Sequence, residues 1–280
     1  MRRRARRVIV GVDGLPHSNA ALRWAADEAR LRGCEPVLVT VCNEGCPHMH
    51  YRLIAGLPAE PPVPTSTRVL RGDPAKALTQ AAGADDLLVL GTRGRGTLKT
   101  LALGSVARGC IARTSRPVVV VPPEAATTAN ACLRGPVVVG VDETPAAQHA
   151  LHFAAEEAQL RRVPLLVVHV LDPAYLGAGS GAGGGAPRGL LTPLDSAAAE
   201  LESYVRTETR GYDIDTTSIA TLGSPAEELL EWAQSATLLV VGTRGTGRVA
   251  AALLGSTSAD ILHRTVCPTG VVPAPAHELA

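Results

Sequence analysis

The chain has 280 residues, a formal net charge of +1 and an aromatic share of only 2%. A chain of this length usually folds into one or two domains, and its core must be built from Val, Leu, Ile and Ala, as in parallel sheets covered by helices. The small net charge provides no overall field to attract nucleic acid, and no apolar run is long enough to cross a bilayer, so we expect a cytoplasmic protein that binds neither nucleic acid nor membrane.

The first half of the chain alternates apolar runs with helical patterns. The predicted order is a strand at residues 7–12, a helix, the strand PVLVTV, a strand near 67–71, a helix opened by Asp73-Pro74, a strand ending at Leu90, a short helix and a fifth strand. Continuous apolar strands separated by helices favour an α/β fold with a doubly wound parallel sheet. Ligands of such sheets bind outside the carboxyl ends of the strands, where the strand order reverses.

The second half repeats the first. LLVLGTRGRGTLKTLALGS from residue 87 aligns without a gap with LLVVGTRGTGRVAAALLGS from residue 238, an offset of 151, whereas VIVGVD and VVVGVD align at an offset of 129. A repeat long enough to hold its own core indicates duplicated domains rather than a solenoid. We therefore predict two tandem five-stranded domains, copy one at residues 1–125 and copy two at residues 134–276.

The copies differ between their second and third strands, where copy two carries 22 extra residues. Copy two has room for a full helix at about 193–210, preceded by the flexible composition GAGSGAGGGAPRG. Copy one has the short, proline-rich NEGCPHMHYRLIAGLPAEPPVP there, which predicts that its helix is lost or reduced to a loop.

A glycine motif follows the fourth strand of each copy with identical spacing: G-x-x-G, nine residues, then G-S. The motif comprises Gly91, Gly94, Gly104 and Ser105 in copy one, and Gly242, Gly245, Gly255 and Ser256 in copy two. Glycines let a backbone approach a ligand closely, and a Gly-Ser that opens a helix offers N–H donors, a hydroxyl and the positive end of the helix dipole. The pattern suits phosphates, while a single G-x-x-G would equally suit a tight turn.

This motif, together with an Asp that ends the first strand, resembles the universal stress protein family over nearly the whole chain. The resemblance implies a Rossmann-like fold of the adenine nucleotide alpha hydrolase type, with ATP and Mg bound at each copy. It places Asp13 and Asp142 by the adenosine, the backbone of Val41 and Val170 at the adenine, and the glycine loops with Gly-Ser at ribose and phosphates. For the two aspartates, helix capping is the alternative role.

Arg93 and Arg244 lie inside the glycine loops, where they either add positive charge near phosphates or are simply exposed. The sequence departs from the family after the aspartates, where the usual Gly-Ser is Gly14-Leu15 in copy one and Glu143-Thr144 in copy two. A Walker loop is excluded because Gly96 is followed by Thr97 rather than lysine, and a dinucleotide fingerprint fails on its spacing.

A cluster of cysteines and histidines follows the second strand of copy one. Cys42, Cys46, His48 and His50 are residue types that suit zinc, but their spacing matches no standard finger, so an ordinary loop is the other interpretation. The six cysteines are too sparse for a disulfide scaffold, and we expect reduced thiols.

The expected function is that of an ATP-binding stress-response protein whose occupancy changes its conformation or its partners, with at most slow hydrolysis. Two alternatives are a nucleotide-using enzyme of related architecture and a nucleotide-free scaffold. Family members commonly pair through their last strands, so VVVV at 118–121 is expected to pair with TGVV at 269–272 inside one chain. A homodimer of two chains is the other arrangement.

Overall fold

The computed structural model describes residues 7–13, 18–42, 65–83, 85–92, 103–126, 135–142, 144–173, 193–243 and 255–274. Copy one contains β1 (Val8–Gly11), α1 (Asn19–Arg32), β2 (Pro36–Cys42), β3 (Ser66–Arg71), α2 (Pro74–Ala81), β4 (Leu87–Gly91), α3 (Ser105–Ile111), β5 (Val118–Val121) and a 3₁₀ turn at Pro123–Ala126. Copy two contains β6 (Val137–Val141), α4 (Pro145–Arg161), β7 (Leu165–Leu171), α5 (Pro193–Glu208), β8 (Thr216–Leu222), α6 (Pro225–Ala233), β9 (Leu238–Thr243), α7 (Ser256–Arg264) and β10 (Thr269–Pro273).

All ten strands form one sheet in the order β3-β2-β1-β4-β5-β10-β9-β6-β7-β8. The strands of each copy are parallel to one another, and the strand order reverses between β1 and β4 and between β6 and β9. The expected α/β fold with two doubly wound halves is therefore confirmed. Among the described helices, none has the length and the apolar character that crossing a membrane would require.

The two halves join through their last strands. β10 pairs antiparallel with β5, with Thr269 opposite Val120 and Val271 opposite Val118, which confirms the predicted pairing within the chain. Because this one junction is antiparallel, the carboxyl ends of the strands in copy one and in copy two point to opposite edges of the sheet. We call each of these the carboxyl edge of its copy.

Helices cover both faces of the sheet, as its doubly buried strands require. Val8, Ile9 and Val10 of β1 are fully buried, as are Val137, Val138 and Val139 of β6. The glycines of the two VxVGVD runs serve this packing. A Cβ at Gly11 would lie 2.7 Å from a Leu90 methyl of β4 and 3.2 Å from a Leu78 methyl of α2. A Cβ at Gly140 would lie 2.6 Å from a Leu229 methyl of α6. These glycines allow α2 and α6 to approach the sheet closely.

A buried ion-pair quartet joins α1 to α4 across the boundary between the copies. Glu28 and Arg32 of α1 occupy the positions that Glu157 and Arg161 occupy in α4, and each arginine donates to both carboxylates. The carboxylate side chains are no more than 1% exposed and those of the arginines are 9% exposed. Burial alone would lower the pKa of Arg161, but the carboxylates of Glu157 and Glu28 outweigh it and raise that pKa.

The connection between the second and third strands was predicted to differ between the two copies. The full helix predicted for copy two is present as α5, over Pro193–Glu208. The corresponding stretch of copy one, 43–64, where we expected a lost or reduced helix, lies outside the described residues.

Candidate functional site

The candidate site of each copy lies at its carboxyl edge, where the strand order reverses. Asp13 follows β1 and Asp142 follows β6, and each of these strands pairs with the strand that leads into the glycine motif. The fold therefore brings Asp13 near Gly91 and Asp142 near Gly242, as ligand binding at a reversal point requires. Arg93, Gly94, Arg244 and Gly245 lie outside the described residues.

In copy two, Asp142 organises the start of α4 without capping it. Its Oδ1 accepts a hydrogen bond from the backbone N–H of Thr144 at 3.0 Å and another from the Thr144 hydroxyl. Thr144 is the N-cap residue, and its Oγ1 accepts from the backbone N–H of Ala147 at 3.3 Å. Helix capping is thus the role of Thr144, and Asp142 stays exposed at the carboxyl edge.

In copy one, the corresponding contact differs. The Ser18 hydroxyl donates to Asp13 Oδ1 at 3.2 Å, and Ser18 is the N-cap residue of α1, although its side chain makes no capping hydrogen bond. The residues between them, 14–17, lie outside the described part of the chain. The two aspartates therefore occupy equivalent places with different local partners.

The Gly-Ser pairs begin α3 and α7 with nearly identical geometry. Gly104 has φ −59° and ψ 149°, and Gly255 has φ −54° and ψ 155°, both in the N-cap position. The N–H of Gly104 donates to the carbonyl of Thr92 at 2.7 Å, which fixes the loop end against β4. Among the described residues, no atom lies within 4 Å of a Cβ built on Gly255, so that part of the chain leaves open space above the start of α7. The first-turn N–H groups beside that space have no helical acceptor.

The first glycine of the copy two motif has a packing role. A Cβ on Gly242 would lie 2.9 Å from the backbone carbon of Ala146, so glycine is required for the start of α4 to approach β9. The Ser258 hydroxyl donates to the carbonyl of Gly242 at 2.9 Å and holds α7 against the same strand end. These contacts place the starts of α4 and α7 together at one point of the carboxyl edge.

A cavity of about 690 Å³ opens beside Asp142 in copy two. Its walls are the ends of β6 and β7, the start of α4 and one face of α5. Its volume is in the range that small-molecule sites occupy. The polar residues on its described walls are Asp142, Thr144, Gln148, His169, Ser196, Glu200 and Tyr204.

α5 is held over this cavity by hydrogen bonds to α4. Glu208 Oε2 accepts from Gln148 Nε2 at 3.2 Å and lies 3.0 Å from His152 Nε2. On the cavity wall, burial raises the pKa of Tyr204, and the carboxylates of Glu208 and Asp142 add to the increase. The phenol of Tyr204 therefore stays protonated well above neutral pH and can donate a hydrogen bond.

The comparison with known families decides the identity. A model of the universal stress protein family matches residues 4–49, 50–122 and 134–273. The chain belongs to the universal stress protein family. A universal stress protein of Mycobacterium tuberculosis strain H37Rv is 27% identical over 93% of this chain and 95% of its own. One of Mycolicibacterium smegmatis is 29% identical over 95% of this chain and 96% of its own.

A solved structure shares the architecture of this universal stress protein over both copies. The crystal structure of a universal stress protein from Archaeoglobus fulgidus superposes with a TM-score of 0.67 at 19% identity, covering 96% of this chain and 99% of that one. A likeness at this identity establishes the fold, and it agrees with the doubly wound halves described above.

The side chains of Val41 and Val170 lie on the same face of the sheet in their two copies. Both side chains pack against the cluster on the α2 and α6 face of the sheet. The neighbours of Val170 in β7, His169 and Leu171, point to the opposite face and line the cavity. The side chain of Val170 therefore lies on the face of the sheet away from the cavity.

Sequence reasoning missed the cavity residues His169, Ser196, Glu200 and Tyr204 of this universal stress protein. The last three recur every four residues, so they lie along one face of α5, next to the buried Leu201 and Val205. That polar stripe beside an apolar one was the available signal. For His169 the sequence contained no such signal, because a histidine inside an apolar run is compatible with any buried role.

The cysteine–histidine cluster is described only at its first member. Cys42 is buried, and its thiol lies 3.6 Å from the carbonyl of Leu70 as a weak donor. Cys46, His48 and His50 lie outside the described residues. Within the described ranges, no three His, Cys, Asp or Glu side chains come together as a metal site.

Proposed function

We propose that this universal stress protein is a cytoplasmic binding module that takes up one Mg-ATP at the carboxyl edge of each copy, and that occupancy changes its conformation or its partners. The observation that carries the proposal is the cavity beside Asp142 in copy two, next to the open start of α7. A cavity for a nucleoside and an open helix start for phosphates are the two parts that a nucleotide needs.

The charged side chains that line the cavity favour the nucleoside, rather than the phosphates, as its occupant. Asp142 and Glu200 are carboxylates, and the described lining residues include no lysine or arginine. Such a wall repels phosphate but accepts hydrogen bonds from ribose hydroxyls and from an amino group on the base. The nucleoside therefore enters the cavity with its phosphates directed away from Glu200.

The start of α7 supports the phosphates. The open space above Gly255 adjoins the first-turn N–H groups and the hydroxyl of Ser256, and the helix dipole favours negative charge there. Ser258 and Ala146 hold this helix start near the start of α4, which Asp142 organises through Thr144. One ligand can thus contact both parts.

Magnesium would arrive with the nucleotide. It commonly binds through substrate phosphates and water together with one or two carboxylates, and it does not need a dedicated protein cage. Asp142 is an exposed carboxylate at the carboxyl edge of copy two, and it is the residue that would hold such an ion. When bound, the ion neutralises part of the phosphate charge.

Copy one has the same strand order, an aspartate at the same place and a Gly-Ser with the same backbone angles. Its α3 has seven residues and α7 has nine, so we expect the two sites to differ in affinity. Binding rather than turnover is the proposed output, because the described groups at the helix starts are backbone N–H groups and serine hydroxyls, which bind phosphate without activating a nucleophile.

Calorimetry of the purified protein against ATP, ADP, cyclic AMP and GTP, each with magnesium, tests the proposal. We expect saturable binding of ATP and a weaker response to GTP. An absence of heat and of thermal stabilisation by every nucleotide would contradict the proposal and favour a nucleotide-free scaffold. Rapid release of ADP and phosphate would instead favour an enzyme.

A further inference from the structure

One position of the sheet differs chemically between the copies at the point where the nucleoside is expected. His169 is opposite Val141 in the pairing of β7 with β6. Thr40 of β2 has the equivalent place in copy one, because Gly11 pairs with Val39 and the N–H of Val12 donates to the Val39 carbonyl at 2.9 Å. We call Thr40 and His169 the edge position of their copies.

The hydroxyl of Thr40 is buried without a hydrogen-bond partner. Thr40 is only 1% exposed, and its Oγ1 contacts no donor or acceptor in the described part of the chain. A buried hydroxyl without a partner is unfavourable, and native proteins rarely retain one unless something outside the protein's own contacts satisfies it. It precedes Val41, whose backbone is expected at the adenine from the family resemblance.

The side chain of His169 lies on the cavity wall in a single tautomer. Its Nδ1 is 2.9 Å from the carbonyl oxygen of Val141, and because a carbonyl only accepts, Nδ1 carries the proton. In the neutral ring Nε2 is then an acceptor. His169 can therefore accept one hydrogen bond from a ligand in the cavity, whereas the hydroxyl of Thr40 can either donate or accept.

We propose that Thr40 and His169 contact the bound nucleoside and give the two sites different preferences, an inference that rests on the proposed function. Copy two requires a hydrogen-bond donor on the nucleoside at His169 Nε2. Copy one accepts either a donor or an acceptor at Thr40. The donor comes from the amino group of the base or from a ribose hydroxyl, and ligand analogues distinguish the two.

The test uses proteins with one site each. Gly104→Asp blocks the phosphate end of copy one and reports on copy two, and Gly255→Asp does the reverse. In the copy two reporter, His169→Phe should weaken ATP binding about three- to tenfold, the value of one neutral hydrogen bond. His169→Gln, which retains an acceptor near Nε2, should recover most of the affinity.

Analogues identify the donor in the copy two reporter. Inosine triphosphate lacks the amino group, and 2′-deoxy-ATP and 3′-deoxy-ATP each lack one hydroxyl. One of the three analogues should bind more weakly than ATP to the copy two reporter. Its affinity should not fall further when His169→Phe is added to that reporter. The copy one reporter should discriminate less among the same ligands.

In the copy one reporter, Thr40→Val should have opposite effects on stability and on binding. Removal of a buried, unpaired hydroxyl should raise the melting temperature by about 2–4 °C. The same change should lower ATP affinity about tenfold, because the ligand loses its partner. A purely structural role for Thr40 would not produce a more stable protein that binds less.

Glu202→Gln is the matched control, since Glu202 pairs with Arg206 on the exposed side of α5 and should leave binding unchanged. Unaltered ATP affinity in both His169→Phe and Thr40→Val would overturn the inference while the proposed function stands. Loss of ATP binding from both single-site parents and from the unmodified protein would overturn the proposed function as well.

Discussion

Copy one and copy two have the same strand order, the same helix starts and the same glycine spacing, yet they differ at the carboxyl edge. In copy two, α5 forms one wall of a cavity beside Asp142, whereas residues 43–64, which connect β2 to β3 in copy one, lack the length of that crossover. At the edge position, a histidine in copy two replaces a threonine in copy one. The two copies thus share the frame and the helix starts at which phosphate binding is proposed, and they differ where the nucleoside is proposed to bind.

The interface between the copies, in contrast, is built from equivalent residues of both. β5 pairs with β10, and Glu28 with Arg32 meets Glu157 with Arg161 in a buried quartet to which both copies contribute equally. The differences found at the carboxyl edges therefore do not extend to this interface. Substitutions made in one copy at a time therefore test which properties the two copies share.

The largest effect on ATP affinity is expected at the equivalent glycines that begin α3 and α7. Gly104→Asp with Gly255→Asp should abolish ATP binding, because each substitution adds, at the N-cap of a helix start, a charge that repels phosphate. At Gly255 the new side chain would also enter the open space above the start of α7. Both positions have extended backbone angles that aspartate adopts readily, and aspartate is a favourable N-cap residue. Calorimetry measures the loss.

The control for that pair is the double asparagine variant, which adds nearly the same volume and capping ability without the charge. It should retain more affinity than the aspartate pair. Unchanged circular dichroism and melting in both variants show that the fold is intact. Parental affinity in the folded aspartate variant would falsify phosphate binding at these helix starts.

The second effect concerns the symmetric interface. Glu157→Gln and Glu28→Gln should each lower the free energy of unfolding by about 3–5 kcal/mol, because each leaves a buried arginine with reduced compensation. Similar losses from the two variants would confirm that the copies contribute equally. Chemical denaturation measures both, and the exposed Glu202→Gln should change stability by less than about 0.5 kcal/mol.

The third effect is at the serines of the two motifs. Ser105→Ala and Ser256→Ala each remove one hydroxyl that donates to a charged phosphate, a loss of about 1.5–3 kcal/mol in ATP affinity, or roughly ten- to more than a hundredfold. Adenosine binding should change far less. An equal loss for adenosine and ATP would show that the serines act through the fold rather than through phosphate.

The smallest effect concerns an ion pair that is present in copy one only and whose contribution to stability depends on pH. Burial alone would raise the pKa of Asp86, but the Arg7 side chain and the Gly83 N–H outweigh it and lower that pKa below 3.8. The stability it contributes is complete above its unfolded pKa and is lost as the pH falls through the folded value. Pro136 and Thr237 stand at the equivalent places of copy two and form no such pair.

Asp86→Asn should therefore destabilise the protein by about 1 kcal/mol at neutral pH, with a difference from the parent that shrinks in acid. Melting temperature as a function of pH measures it. A difference that persists at pH 2 would show that Asp86 acts through its shape and not through its charge.

The sequence predicted most of the frame because its signals are local. Apolar runs located the strands, Asp73-Pro74 located the start of α2, and the length of copy two predicted α5. The glycine spacing predicted where the helix starts of the candidate site lie. Each of these signals is contained in a short stretch of chain.

The remaining features depend on contacts between distant stretches. Glu28 and Arg32 are four residues apart and resemble an ordinary exposed helical pair, and they become buried only because α1 meets α4 across the β5–β10 junction. His169 and Tyr204 meet at a cavity only because α5 packs beside β7. Gly242 was expected at a ligand, but its contact with Ala146 gives it a packing role that spacing alone does not reveal.

The number of ATP molecules bound per chain tests the central claim most directly. Calorimetric titration with Mg-ATP should give two sites for the parent, one for Gly104→Asp and one for Gly255→Asp, with unequal affinities for the two single-site proteins. Saturation of the parent at one ATP, with binding lost in only one of the two variants, would contradict the claim that both copies retained a nucleotide site.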